Sequence, residues 1–236
     1  MPQQSLMMAL TASIISAVFV GSIIFLASFK KSNSATSLSL RDLGLGLFLS
    51  SLVRIPTFLI LAGIPLSSTI DGTAPYYALG LSAFIAAHAL FFRGTVRFFT
   101  RSRFWINYVP FVFFLVSNLL VLASTEIFQL PLGLSIFEMA IMGSLNILFL
   151  TIANLRLICN DCSPRQRIGS RLLSVGWMTF FIAQGSMTLM VNQYPTDFWF
   201  FAITSSPTIF IYSAYTISYF VLLLGFFLSH THTPKR

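Results

Sequence analysis

Charge is scarce in this chain. Asp, Glu, Lys and Arg make up 8% of its 236 residues, against roughly a quarter in an average soluble domain. That shortage excludes a water-soluble globule of this length, which needs far more charge to cover its surface. Acid is scarcer still, with six Asp and Glu against fourteen Lys and Arg. Cysteine is confined to Cys159 and Cys162, a single CxxC and so half of a zinc site. No second pair or nearby histidine completes it. On a cytoplasmic face these thiols stay reduced, either as an inert pair or as a juxtamembrane palmitoylation point. HExxH, P-loop and GxSxG motifs are all missing. This disfavours an enzyme, and neither a cofactor nor a metal site is expected. His230 and His232 sit in the C-terminal stretch SHTHTPKR, where a frayed terminus is the default reading.

Apolar residues fill the space that charge leaves. Mean hydropathy is +0.84 and phenylalanine alone occurs 26 times. These features identify an integral membrane protein. A helix crossing the hydrocarbon needs about 20 mostly apolar residues, and seven such stretches are legible. They run over 7–29, 43–65, 76–99, 105–124, 132–155, 172–192 and 198–229. The expected fold is therefore all-α, a single seven-helix membrane domain. The first stretch does not resemble a cleavable signal. Its flank MPQQSLMM carries no Lys or Arg, and its apolar part exceeds the usual length.

Basic residues fix the expected orientation. Lys30, Lys31 and Arg41 separate the first two spans. Arg93, Arg97, Arg101 and Arg103 surround the third-to-fourth turn. Arg156, Arg165, Arg167 and Arg171 separate the fifth and sixth, and Lys235 and Arg236 end the sequence. The alternate connections 66–75, 125–131 and 193–197 hold none. This pattern places the N-terminus outside and the C-terminus in the cytoplasm of a plasma or inner membrane. It also accounts for a pI near 10.0 without nucleic acid, since loop charge orients spans and attracts anionic lipid. Trp105, Tyr108, Tyr194 and Trp199 fall near the expected interfaces, where amphipathic rings are favoured. The seventh stretch would be about 48 Å long as a straight helix, so a tilt, an interfacial start or a break is required. Pro207 offers the break, with Ser205 and Ser206 available to satisfy freed carbonyls.

Ionisable groups inside the membrane are costly and mark functional hypotheses. Three stand out: Arg54, His88 and Glu138. At about 1.5 Å per residue, Arg54 and His88 fall near the midplane and Glu138 about 10 Å below the outer surface. Since an arginine there costs about 2.5–3.5 kcal/mol to insert, an Arg54–Glu138 pair with His88 close by is expected. Such a pair is either functional or a register-fixing device. Thr204, Thr208, Tyr212, Tyr215 and Tyr219 recur at helical spacing on one face of the last span. Asn118, Asn146 and Gln184 bring amides from three other helices. These groups either line a polar cavity for a small ligand or join helices by hydrogen bonds. GLSAFIAAHA (80–89), Gly143, Gly176 and Gly185 are read as close-packing points.

A retinal-binding rhodopsin would need a lysine in its last span, and Lys30, Lys31 and Lys235 are all outside spans. The stretches FFRGTVRFF and SSPTIFIY fit the motifs of G-protein-coupled receptors poorly. The run LRDLGLGLFLSSLVRIPTFLILAGIP, continued in YYALGLSAFIAAHALFFRGTVRFFTRSRFW, resembles the membrane input regions that precede diguanylate cyclase and kinase domains in bacteria. The shared feature is a third helix ending in a Gly, basic and Phe turn. The resemblance implies a sensor or receptor-like module. A small ligand or membrane stimulus would shift its helix packing, and a cytoplasmic or membrane protein partner would read the inner loops. Two other readings stay open. GSIIFLASFK and GSLNILFLTIANLR echo one another, which would suit a small-solute transporter or channel with a 3+1+3 repeat. A passive membrane assembly subunit would need no ligand.

Overall fold

The protein is described by a computed structural model over residues 2–29, 35–63, 83, 86–91, 93–94, 163–193 and 207–230. Its regular elements there are all helical. They are α1 (Pro2–Phe29), α2 (Ala35–Leu52), α3 (Ile55–Leu61), α4 (Pro164–Gln193) and α5 (Thr208–His230), with a further helical segment at 86–91. Among the described residues, three helical stretches are long and apolar enough to cross a membrane: Gln4–Phe29, Ser37–Leu59 and Thr208–Ser229. They carry their large apolar side chains outward as well as inward. Met8, Ile15, Phe19 and Leu26 are exposed on α1, and Phe210, Ile217, Phe220, Leu224 and Phe227 on α5. Helices apolar on all sides belong in a lipid solvent.

Two tight helix pairs organise the bundle, α1 on α2 and α4 on α5, and α1 also packs against α5. Each pair closes where glycine lets backbones meet. A Cβ on Gly21 would come within 2.7 Å of the Gly44 carbonyl oxygen, and one on Gly44 within 2.6 Å of the Phe25 nitrogen. In the second pair, a Cβ on Gly225 would meet the Leu173 nitrogen at 2.8 Å, and one on Gly176 would meet the Leu222 side chain at 2.8 Å. Gly176 is thus a packing point as expected. At Gly185 no such contact is found: among the described residues nothing lies within 4 Å of a Cβ built there.

The second span departs from the continuous helix expected over 43–65. It begins earlier, and it is interrupted by a turn at Val53–Arg54. Pro56 explains the interruption. It has no amide proton to give the Leu52 carbonyl, and a proline inside a helix clashes with the carbonyl four residues back. The Arg54 amide bonds to the Ser51 carbonyl at 3.1 Å, three residues back instead of four, and the helical pattern resumes with Phe58 donating to the Arg54 carbonyl at 3.0 Å. Beyond α3, Gly63 takes a positive φ of 74°, the left-handed position that commonly follows a helix end.

Pro207, where a break is expected, occupies a turn and α5 starts at the next residue; 198–206 lie outside the described residues. α4 starts eight residues before the expected 172. Ser163 and Gln166 form a reciprocal cap, with the Gln166 amide donating to Ser163 Oγ at 3.3 Å and the Ser163 amide donating to Gln166 Oε1 at 3.2 Å. With Pro164 in the first helical position, SPRQ is a strong helix start. The expected fourth and fifth spans, the CxxC and the four interfacial aromatics lie outside the described residues.

Candidate functional site

Arg54 sits at the break in the second span and is buried, with 7% of its surface exposed. Its side chain turns back along α2, the direction in which helical side chains lean, and Nη1 donates to the Ser50 carbonyl at 2.6 Å. That carbonyl is the one that the Arg54 amide leaves when it bonds to Ser51 instead. The guanidinium therefore caps a backbone group freed by the turn on which it is carried.

The rest of its surroundings come from α5. Nη2 donates to the Tyr219 hydroxyl at 2.7 Å, and the guanidinium carbon lies 4.4 Å from the Tyr215 ring centroid and 5.6 Å from that of Tyr219. The two rings stack at an interplanar angle of 17°. The Tyr219 hydroxyl also lies 3.3 Å from Ser50 Oγ. Tyr215 donates to Gln184 Oε1 at 2.6 Å, which ties α4 into the same cluster. Tyr212 of α5 and Thr57 of α3 are buried as well. Both tyrosines that hold the cation belong to the middle of the candidate span Thr208–Ser229, so the guanidinium lies deep in the bundle.

Magnitudes show what this cage does. A desolvated cation–π contact contributes about 2 kcal/mol, and each hydrogen bond to a charged group about 1.5–3 kcal/mol. Together they exceed the insertion cost of about 2.5–3.5 kcal/mol on translocon scales. Among the described residues, a carbonyl, a phenol and two ring faces therefore offset that cost without a carboxylate. Glu138, its expected partner, lies outside the described residues, and among the described residues no carboxylate is within ion-pairing distance of Arg54.

The hydroxyl face of the last span is real over its described part. Thr208, Tyr212, Tyr215 and Tyr219 are all buried, while Thr204, Asn118 and Asn146 lie outside the described residues. His88 is buried and reaches the cluster through rings. Its centroid is 5.7 Å from that of Phe91, which lies 6.0 Å from Phe180, which in turn lies 5.1 Å from Tyr215. Trp177 packs 5.3 Å from Phe91 and 5.9 Å from Phe180. Arg54 and His88 thus sit at opposite ends of one aromatic chain and do not touch through it.

A second polar contact was not expected from the sequence. Asp42 is 5% exposed and accepts two bonds from Arg93, 2.9 Å from Nε and 2.7 Å from Nη2. The expected list of three intramembrane ionisable groups therefore omits Asp42, which lies inside the apolar stretch Ser37–Leu59. Beside this pair, Ser39 Oγ donates to the Gly94 carbonyl. Arg93, counted in the sequence as an orienting loop charge, here joins two helices.

Among the described residues, no three His, Cys, Asp or Glu side chains gather to hold a metal. The chemistry on offer at Arg54 is that of a fixed cation among neutral hydroxyls. No family model matches this chain, and neither a curated protein nor a solved structure matches it.

Proposed function

We propose that this protein is a seven-span membrane sensor, with its N-terminus outside and its C-terminus in the cytoplasm, in which a ligand or a bilayer stimulus shifts helix packing. The carrying observation is the contact between Arg54 and α5. Backbones meet at glycines within each helix pair, whereas α2 reaches α5 through long side chains: Arg54 and Ser50 to Tyr219. A junction made of a few directional bonds has discrete alternatives, which is what a two-state element needs. α5 then carries any displacement toward the cytoplasmic tail, where a protein partner reads it.

Spin labels at Ala62 and Phe210, both exposed, test this on a background in which Cys159 and Cys162 are serine. In nanodiscs of short- and long-chain phosphatidylcholine, two distance populations should appear, with a ratio that changes with thickness and in Arg54→Gln. One distribution, identical in both lipids and in the variant, would remove the basis for sensing.

The interrupted second span favours a second reading. Transporters place substrate at mid-membrane breaks in helices, and Arg54 lies at such a break. Solute flux in proteoliposomes that is lost in Arg54→Ala would support transport over sensing. The 3+1+3 repeat belongs to this second reading.

A further inference from the structure

We infer that the second span is a latched hinge, in which the side chain and the amide of Arg54 compete for one backbone acceptor, the Ser50 carbonyl. This rests on the sensing reading and deepens it by naming the moving part. The short helix α3 swings on the turn at Val53–Arg54, and the Arg54–Tyr219 bond holds it.

Pro56 initiates the interruption but by itself accounts for one lost bond, the one that its missing amide proton would have made to the Leu52 carbonyl. The ladder is already broken two residues earlier. The Arg54 amide bonds to the Ser51 carbonyl at 3.1 Å. The Ser50 carbonyl, which that amide would serve in a regular helix, accepts from Nη1 at 2.6 Å instead. The break is thus wider than proline requires, and the guanidinium fills the difference. The preceding turn is prepared for it. Ser50 and Ser51 each donate their hydroxyl to a carbonyl three residues back, that of Leu47 at 2.7 Å and that of Phe48 at 2.6 Å. Such back-bonding bends helices. On the far side Phe58 donates to the Arg54 carbonyl at 3.0 Å, so α3 is built on the same residue and moves with it.

These bonds define two arrangements. In the observed one, Nη1 occupies the Ser50 carbonyl and Nη2 reaches the Tyr219 hydroxyl at 2.7 Å. In the other, the Arg54 amide returns to Ser50, the span keeps only the kink of its proline, and Nη1 loses that acceptor. Both nitrogens belong to one planar group, so displacing Nη1 also draws Nη2 away from Tyr219. The bend of the second span and its hold on α5 therefore change together. The Ser50 carbonyl is satisfied in both arrangements, so the exchange leaves no buried backbone acceptor bare. The latched arrangement gives the cation more acceptors and is the resting state.

The test uses the full chain in phosphatidylcholine nanodiscs, with Cys159 and Cys162 replaced by serine. Spin labels at Ala62 are paired with labels at Met8 or at Phe210, all three positions being exposed. The arm from Arg54 to Ala62 is about 12 Å long, so a change of about 20° in the bend moves Ala62 about 4 Å. Arg54→Met removes the competing donor and should shift at least one of the two distances by that amount. Pro56→Ala, which keeps the latch, should shift them less. If Arg54→Met does not fold, Arg54→Lys decides, since it keeps the charge but replaces the two-nitrogen fork with one nitrogen; it should populate a second distance. Wild-type distances in the Arg54 variant, or a shift in Pro56→Ala as large as its own, would overturn the inference and assign the whole break to proline. A shift in Arg54→Met with wild-type distances that are the same in short- and long-chain lipid would leave the latch standing and remove the sensing reading. Lipid-dependent wild-type distances with an unmoved Arg54 variant would do the reverse.

Discussion

A cation held by phenols depends on each hydroxyl separately where, as among the described residues, no ion pair holds the others in place. Tyr219→Phe keeps the ring but removes the oxygen that accepts from Nη2 at 2.7 Å. It leaves a buried charged donor unsatisfied, at a cost of about 1–3 kcal/mol. Thermal unfolding in nanodiscs should show the loss, and Tyr212→Phe should cost less, since Tyr212 makes no hydrogen bond to the guanidinium. Equal midpoints for Tyr219→Phe and wild type would mean that the bond contributes nothing. At Asp42 the argument changes sign. Asp42→Asn removes the charge that Arg93 grips with two nitrogens, and because Arg93 is 24% exposed water recovers part of the deficit. A loss of about 1–3 kcal/mol is expected, with partial restoration in the double variant Asp42→Asn, Arg93→Gln. At this scale the sequence shows a good deal. The helical spacing of Tyr212, Tyr215 and Tyr219 marks a common face, and the isolation of Arg54 in an apolar run requires it to point inward. Asp42 escapes notice because it stands one residue outside the expected span, where a carboxylate looks solvated.

Elements are set by local chemistry that is easy to pass over. SPRQ holds a helix start in four letters, and Pro56 two residues after Arg54 holds the interruption. Expecting a continuous span over 43–65 gave hydropathy more weight than the missing amide proton. The α1–α2 crossing makes a sharper prediction. Gly44→Ile would push side-chain carbon into the Phe25 backbone, which lies 2.6 Å from a single Cβ, and backbone cannot step aside as a flexible side chain does. A cost at or above the usual 1–3 kcal/mol for overpacking is expected. Gly185→Ile, with nothing within 4 Å of a Cβ, should be close to neutral. If both substitutions lower the thermal midpoint equally, the crossing is not where the backbones are closest. Each of these glycines falls in a stretch read from the sequence as a span, and what separates them is the tertiary neighbour.

At the scale of the whole molecule, composition alone gives the class, since an all-helical apolar chain with 8% charge fits lipid as solvent. Topology is testable by chemistry. On a background lacking Cys159 and Cys162, Ala62→Cys should react with an impermeant maleimide from outside oriented vesicles, and Arg165→Cys only after permeabilisation. The reverse pattern would invert the assignment made from loop charge. The contact of Arg54 with Tyr219 was not legible, because sequence gives depth along a helix but not which helices become neighbours. Hydropathy likewise suggested no pairing among the helices, yet α1–α2 and α4–α5 each close on glycine. Where their backbones meet at these glycines, the two helices of each pair have no room to close further. A deformation imposed by the bilayer would therefore pass into the boundary between the two pairs, where α1 packs on α5 and Arg54 bonds Tyr219. A thinner or thicker membrane would tilt one pair against the other and load that bond together with the α1–α5 contact.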